Sequence, residues 1–413
     1  MTQVTRASLR TLDAADPLAA YRALFRLPAG VVYLDGNSLG PLPRATVARV
    51  SQVLRVEWGE RLISSWNVSG WMDMPVRIGD KIAQLIGAHA GEVVVADSTS
   101  INVFKTLAAA LALNSGRRVI LSAADNFPTD LYMAQGLIQL LGGRHELRLV
   151  DSETIAQRLT DEVAVLTLTH VNYRTGRLYD MAELTARAHA QGALVMWDLS
   201  HTAGALPVDL HQADADLAVG CGYKSLNGGP GASAFLFVAQ RHQARFSQPL
   251  SGWLGHAEPF AFDAAYQPAE GIGRYICGTP PVLRMSALEC GVDMLLDADI
   301  TRVRAKSVAL TDLFIELVQA RCGKYGLTLV SPRAAALRGS QVSFRHPEGY
   351  AIVQALAARG VIGDFRAPDV LRFGFTPLYT RYVDVWDAVT RLREVLKKRE
   401  WDRSAFQVRQ KVT

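Results

Sequence analysis

Cysteine is scarce: Cys221, Cys277, Cys290 and Cys322 are the only four in 413 residues. No two stand in C-x-x-C spacing, so neither a thiolate metal site nor a disulfide framework is expected. Reduced thiols, and hence the cytoplasm, are the expectation. No H-E-x-x-H pair is present, and no metal is expected. No run of 18 apolar residues occurs, which excludes a membrane-spanning helix. Met1 to Arg10 is polar and lacks the apolar centre of a secretory signal. Low-complexity tracts and internal repeats are missing too. The net charge is +5, yet the basic residues are scattered. The densest group, Lys397-Lys398-Arg399, lies in a charge-rich helical stretch and reads as a solvated face, not a nucleic-acid surface. A mild positive balance does help attract anionic ligands. Gly228-Gly229-Pro230-Gly231 lacks both the G-x-G-x-x-G pattern and a Walker lysine, which argues against dinucleotides and nucleoside triphosphates.

What is present is an ordinary folded composition, 49% hydrophobic and 20% charged. The length suggests a large domain and a smaller one. Apolar, β-branched runs recur at 93–96, 119–122, 147–150, 163–168, 193–197, 217–220 and 234–238. Helical patterns fall at 43–58, 75–87, 100–113, 129–141, 153–159 and 181–191. Strands alternating with helices predict an α/β domain with a mainly parallel sheet of about seven strands, covered on both faces. After about 285 the pattern changes. A long helix from Arg284 to about Ala320 leads to a strand at 340–344, a helix at 348–359, a strand at 370–375 and a helix at 381–399. The expected division is an N-terminal arm over 1–30, a large domain over 31–285 and a smaller α+β domain over 286–413.

The sharpest pair is Asp198 and Lys224. Asp198 ends the run Ala193–Trp197, and Lys224 follows the next strand in Gly222-Tyr223-Lys224-Ser225. In open α/β sheets ligands sit beyond the carboxyl ends of strands. A lysine amine and a carboxylate so placed are what pyridoxal 5′-phosphate (PLP) requires. The amine forms the Schiff base, and the carboxylate keeps the pyridine nitrogen protonated. A phosphate needs a cradle, and Ser98-Thr99-Ser100 places three hydroxyls where a helix begins. The same residues could serve only as a helix cap. Phe127, in Asn126-Phe127-Pro128-Thr129-Asp130, offers a flat face for a ring; packing is its bland alternative. Thr129 and Asp130 could bond ring substituents or cap the next helix. Tyr223 could donate to a phosphate and supply a proton. His201 could orient Asp198 or the phosphate. Arg372 interrupts the apolar run Val370–Phe375, so it points to solvent or meets a buried anion, with a substrate carboxylate the obvious candidate.

Together these residues resemble the kynureninases, within the fold-type I, aspartate-aminotransferase-like PLP enzymes. The likeness spans nearly the whole chain. It includes Leu34 to Gly40, Asn126 to Asp130, Val171-Asn172-Tyr173-Arg174-Thr175-Gly176, Trp197 to His201, Gly222 to Lys224, Gly252-Trp253-Leu254-Gly255 and Arg372-Phe373-Gly374. The resemblance implies hydrolysis of L-kynurenine, and of 3-hydroxy-L-kynurenine, to an anthranilate and L-alanine in tryptophan catabolism. It implies Lys224, Tyr223 and Asp198 as catalytic. It places Thr99, Ser100, Phe127, Pro128, Thr129, Asp130, Thr169 and His201 around the cofactor. It also implies a homodimer in which Trp253 and Thr279 reach a neighbouring subunit's cofactor. Arg372, Asn37 and Ser38 are implied at the substrate, and Trp66 and Trp71 are candidate walls for its aryl group. A cysteine desulfurase or an aminotransferase of the same fold is the alternative.

Overall fold

The computed structural model describes residues 4–245 and 247–410. It groups into two compact units: one of residues 45–173 and 179–296, the other of 1–44, 174–178 and 297–413.

The larger unit is built on seven strands: β1 (Val93–Val95), β2 (Val119–Ala123), β3 (Glu146–Val150), β4 (Val163–Thr169), β5 (Leu194–Asp198), β6 (Leu217–Gly220) and β7 (Phe235–Val238). Their order across the sheet is β1-β7-β6-β5-β4-β2-β3. All neighbours are parallel except β7, which runs against both β6 and β1. The continuous apolar runs of β1, β2, β4, β6 and β7 are fully buried, as strands covered on both faces must be. Each buried Val, Ile or Leu adds roughly 1.5–3 kcal/mol. Helices Met74–Ile86, Thr99–Leu113, Pro128–Leu140 and Met181–Ala190 pack on the sheet. The 153–159 stretch supplies only the single 3-10 turn Ile155–Gln157.

The long helix expected from Arg284 is two helices, Val282–Asp297 and Ile300–Cys322. Asp299 adopts φ +58° and caps the second through Thr301 N. The first stays with the larger unit, where Gly291 lies so near the Leu226 carbonyl that a Cβ would overlap it. The division expected at 285/286 therefore falls at 296/297.

The smaller unit has an antiparallel four-stranded sheet, ordered Asp364–Arg366, Val370–Gly374, Gln341–Arg345, Thr328–Leu329. Helices Ile300–Cys322, Gly349–Ala358 and Tyr382–Lys397 complete its core around Phe314, Phe344 and Phe373. Residues 31–44 belong here rather than to the large domain, because Val32 and Tyr33 pair in parallel with Val361 and Ile362. No described helix is long and apolar enough to cross a membrane.

Candidate active site

Strands β4, β5 and β6 end side by side. Thr169 is in register with Asp198, and Asp198 with Val219. That register brings Thr169, Asp198 and the turn after β6 to one edge of the sheet. The turn is held tightly. Gly228 N donates to the Gly222 carbonyl at 2.8 Å, and Asn227 N to the Lys224 carbonyl at 3.0 Å. A Cβ on Gly222 would overlap the Ser233 carbonyl, so only glycine fits beside that backbone. Tyr223 and Lys224 emerge from this turn into a cavity of about 210 Å³.

Its walls are Thr99, Ser100, Phe127, Thr129, Asp130, Thr169, Asp198, Ser200, His201, Tyr223 and Lys224. Ten of these were expected from the sequence; Ser200 was not. Ser98 caps helix Thr99–Leu113 by accepting from Ile101 N at 3.4 Å, which leaves the Thr99 and Ser100 hydroxyls on the cavity wall. Phe127 occupies the N-cap position before Pro128, crosses Tyr173 edge-on at 5.3 Å and stands 6.0 Å from the Lys224 Nζ. Pro128 opens the helix, holding Phe127 extended, and is not on the wall. Asn126, absent from the expected set, fixes this corner: its Oδ1 accepts from Phe127 N and Thr169 N at 2.9 and 3.1 Å.

Asp130 and Asp198 are both buried and hydrogen-bonded to each other. Burial, and then the charge of Asp198, hold the Asp130 carboxyl well above the usual range. Burial raises Asp198 as well, but Ser200 N donates to its Oδ1 at 2.8 Å and Lys224 opposes the shift. Of the two, Asp130 is held the higher, and its hydrogen bond to Asp198 lowers Asp198. Lys224 Nζ lies 2.9 Å from His201 Nε2. Burial pushes the Tyr223 phenol upward, so it stands neutral and able to donate.

The donor set suits PLP: an amine, a carboxylate for a pyridinium, hydroxyls at a helix N-terminus and an aromatic face. One buried oxygen on the wall, Thr169 Oγ1, has no protein partner among the described residues.

Other expected residues lie elsewhere. Trp253 is exposed and crosses Phe260 at 5.7 Å. Thr279 is exposed and lines a separate cleft with Asp97 and Cys277. Trp66 and Trp71 pack edge-on against each other, with Trp71 Nε1 bonded to Glu57 at 2.7 Å, and neither lines the Lys224 cavity. Cys277 and Cys290 are also off that wall, and burial raises both thiols. In the smaller unit Arg372, Ser38 and Asn37 come together. Arg372 Nη2 donates to Ser38 Oγ at 2.8 Å, and a Cβ on Gly374 would touch Asn37. No cluster of potential metal ligands occurs among the described residues.

A sheet of this order, with the aspartate ending β5 and the lysine in the turn after β6, defines a fold-type I PLP enzyme. Solved structures share the fold. The apo cysteine desulfurase of Thermococcus onnurineus is 19% identical, with a TM-score of 0.78, over 92% of this chain and 98% of that one. A C-DES variant with glycine covalently linked to its PLP cofactor is 16% identical, with a TM-score of 0.77, over 90% and 99%. The family model for the kynureninase C-terminal domain matches residues 303–392. Curated proteins named kynureninase from Burkholderia pseudomallei (strain 1106a) and Pseudomonas fluorescens are 56% and 55% identical over 99% of this chain and 100% of theirs. The chain belongs to the kynureninase family.

Proposed function

We propose that this enzyme hydrolyses L-kynurenine, and 3-hydroxy-L-kynurenine, to anthranilate or 3-hydroxyanthranilate and L-alanine in tryptophan catabolism. The observation that carries the reading is the convergence of Lys224, Asp198 and Phe127 on one cavity, in a chain with full-length kinship to kynureninases. When bound, PLP supplies an electron sink for the bonds at the substrate's α-carbon. Lys224 would hold the cofactor through its amine, which is also the base for the substrate's Cα proton. Asp198 would face the ring nitrogen. Phe127 would cover the ring, Thr99 and Ser100 would hold the phosphate, and Thr129, Asp130, Thr169 and His201 would complete the cofactor's surroundings. The neutral phenol of Tyr223 supplies a proton to the β-carbon that becomes the alanine methyl group. Arg372 orients the substrate through its α-carboxylate, with Asn37 and Ser38 beside it.

The enzyme acts as a homodimer in which Trp253 and Thr279 enter the neighbouring site. Their exposure away from their own chain's Lys224 cavity supports this. Four free thiols support a reducing compartment, the cytoplasm. Purified protein incubated with PLP and L-kynurenine is expected to release anthranilate, followed by its fluorescence, with L-alanine in equal amount. Release of sulfide from L-cysteine, or of a keto acid with pyridoxamine phosphate, and no anthranilate would overturn the reading.

A further inference from the structure

Lys105 sits in the second turn of helix Thr99–Leu113 and is 0% exposed. An ammonium taken out of water is costly unless it is paired and hydrogen-bonded. Lys105 Nζ donates to Asp97 Oδ2 and, at 2.6 Å, to the Tyr275 carbonyl. Neither acceptor belongs to the helix. Asp97 lies in the turn that enters it from β1, and Tyr275 ends the 3-10 turn Gly271–Tyr275. Tyr275 is fully buried in the same core cluster as Val94, Val103 and Leu107. Lys105 therefore fastens the entry turn to a fixed point in the core.

That turn is unusual. Asp97 adopts φ +48°, a left-handed conformation that glycine takes freely and other residues rarely. The backbone around it is held as well: Ala234 N donates to the Asp97 carbonyl at 3.0 Å, and Asn102 Nδ2 to the Ala96 carbonyl at 2.9 Å. Nothing in this backbone calls for a carboxylate, since glycine would adopt it without strain. The ion pair with Lys105 is what an aspartate adds. Stability alone is a poor reason for the pair, because a buried ion pair often contributes no more than apolar groups of the same volume. What it provides is direction. Two and three residues past Asp97 come Thr99 and Ser100, both on the wall of the Lys224 cavity, with the first free amides of the helix beside them. The angle of the chain at Asp97 decides where those donors point.

We propose that Lys105 is a positioning residue for the cofactor's phosphate: through Asp97 it sets the turn that aims Thr99, Ser100 and the first amides of their helix into the Lys224 cavity. This rests on the reading of Thr99 and Ser100 given above. The test titrates the cofactor-free protein with PLP and with pyridoxal, which keeps the ring and the aldehyde and lacks the phosphate. Schiff-base absorbance reports both affinities. Lys105→Met keeps the length of the side chain and removes its charge. It is expected to weaken PLP binding about tenfold, the scale of losing one charge-assisted hydrogen bond, and to leave pyridoxal binding unchanged. Asp97→Asn keeps the size of the side chain and tolerates the left-handed backbone, and it is expected to do the same. It decides the matter if Lys105→Met does not fold. A double variant, Thr99→Ala with Ser100→Ala, is the reference and loses the preference for PLP. If it does so while Lys105→Met and Asp97→Asn keep the wild-type preference, or weaken both ligands equally, the role of Lys105 is refuted and the phosphate reading stands. Loss of the preference in Lys105→Met alone refutes the route through Asp97. If the double variant keeps the preference, the reading of Thr99 and Ser100 itself fails.

Discussion

Lys224 Nζ and His201 Nε2 are 2.9 Å apart, within hydrogen-bonding distance. The amine is therefore held at a fixed place in the cavity, 6.0 Å from the Phe127 ring centre. Lys224→Ala is expected to abolish the visible Schiff-base absorbance on adding PLP. It should lower anthranilate formation by about 10⁴-fold, the scale of losing a residue at the centre of a catalytic set. Retention of the absorbance band would refute the assignment.

The two carboxyls beside it are predicted to differ. Asp130 is held higher than Asp198, so an amide mimics Asp130 better than Asp198. Asp198→Asn should cost about 10²–10³ in kcat, as removal of a preorganised charge does. Asp130→Asn should cost about tenfold or less, the worth of a single adjusted hydrogen bond. Equal losses in steady-state kinetics would contradict that order of the two carboxyls.

Gly291→Ala tests the support beneath the Lys224 turn. The new methyl would overlap the Leu226 carbonyl, which is backbone and cannot swing away. Overpacking of this kind costs roughly 1–3 kcal/mol. A lower apparent Tm together with weaker PLP binding is expected, measured by thermal melts and cofactor titration.

Asp216 predicts a pH dependence of stability. It is buried and bonds His189, His242, Arg241 and the Val195 amide. Burial disfavours its charge, but the histidine hydrogen bonds outweigh that and hold its pKa far below the ordinary 3.8. Its stabilisation is present above 3.8 and fades as pH falls toward the folded value. His189 is raised above 6.5, first by its hydrogen bond to Asp216. Its stabilisation is present below 6.5 and is lost as pH rises through the folded value. Both contributions are complete between about 3.8 and 6.5. Asp216→Asn should remove the dependence and destabilise by about 3–5 kcal/mol, as breaking a buried pair does. Apparent Tm against pH for both proteins checks this.

The dimer reading predicts complementation. Lys224→Ala and Trp253→Ala chains, each impaired alone, should regain part of the activity when refolded together. A mixed dimer then has one site with both an intact Lys224 and a partner's Trp253. No recovery would place Trp253 outside the neighbour's site.

Much of this was legible in the sequence, for physical reasons. Strands buried on both faces must be apolar throughout, so β1, β2, β4, β6 and β7 stood out. Asp198 and Lys224 stood out because a charge that closes such a buried run needs a partner or a ligand to offset its desolvation. Short elements did not. Val361–Ile362 and Asp364–Arg366 are two and three residues long and separated by one glycine, too short to show a period. Asp364 passed unnoticed with them, because its partner, Arg372, lies on another strand. Ser200 acts through its own backbone amide, a role any loop residue can fill, and Asn126 through a side-chain oxygen that accepts from two backbone amides, which no spacing marks. The break at Asp299 was invisible because a left-handed aspartate resembles an ordinary helical one in sequence.

The pairing of Val32–Tyr33 with Val361–Ile362 bears on how the chain is made. A nascent polypeptide emerging from the ribosome exposes this leading strand long before its partner exists. The smaller unit can close only when synthesis is nearly finished, while the seven-stranded sheet is already complete. A chain cut short after the large sheet would therefore release an orphaned leading segment, a natural target for chaperones and proteases.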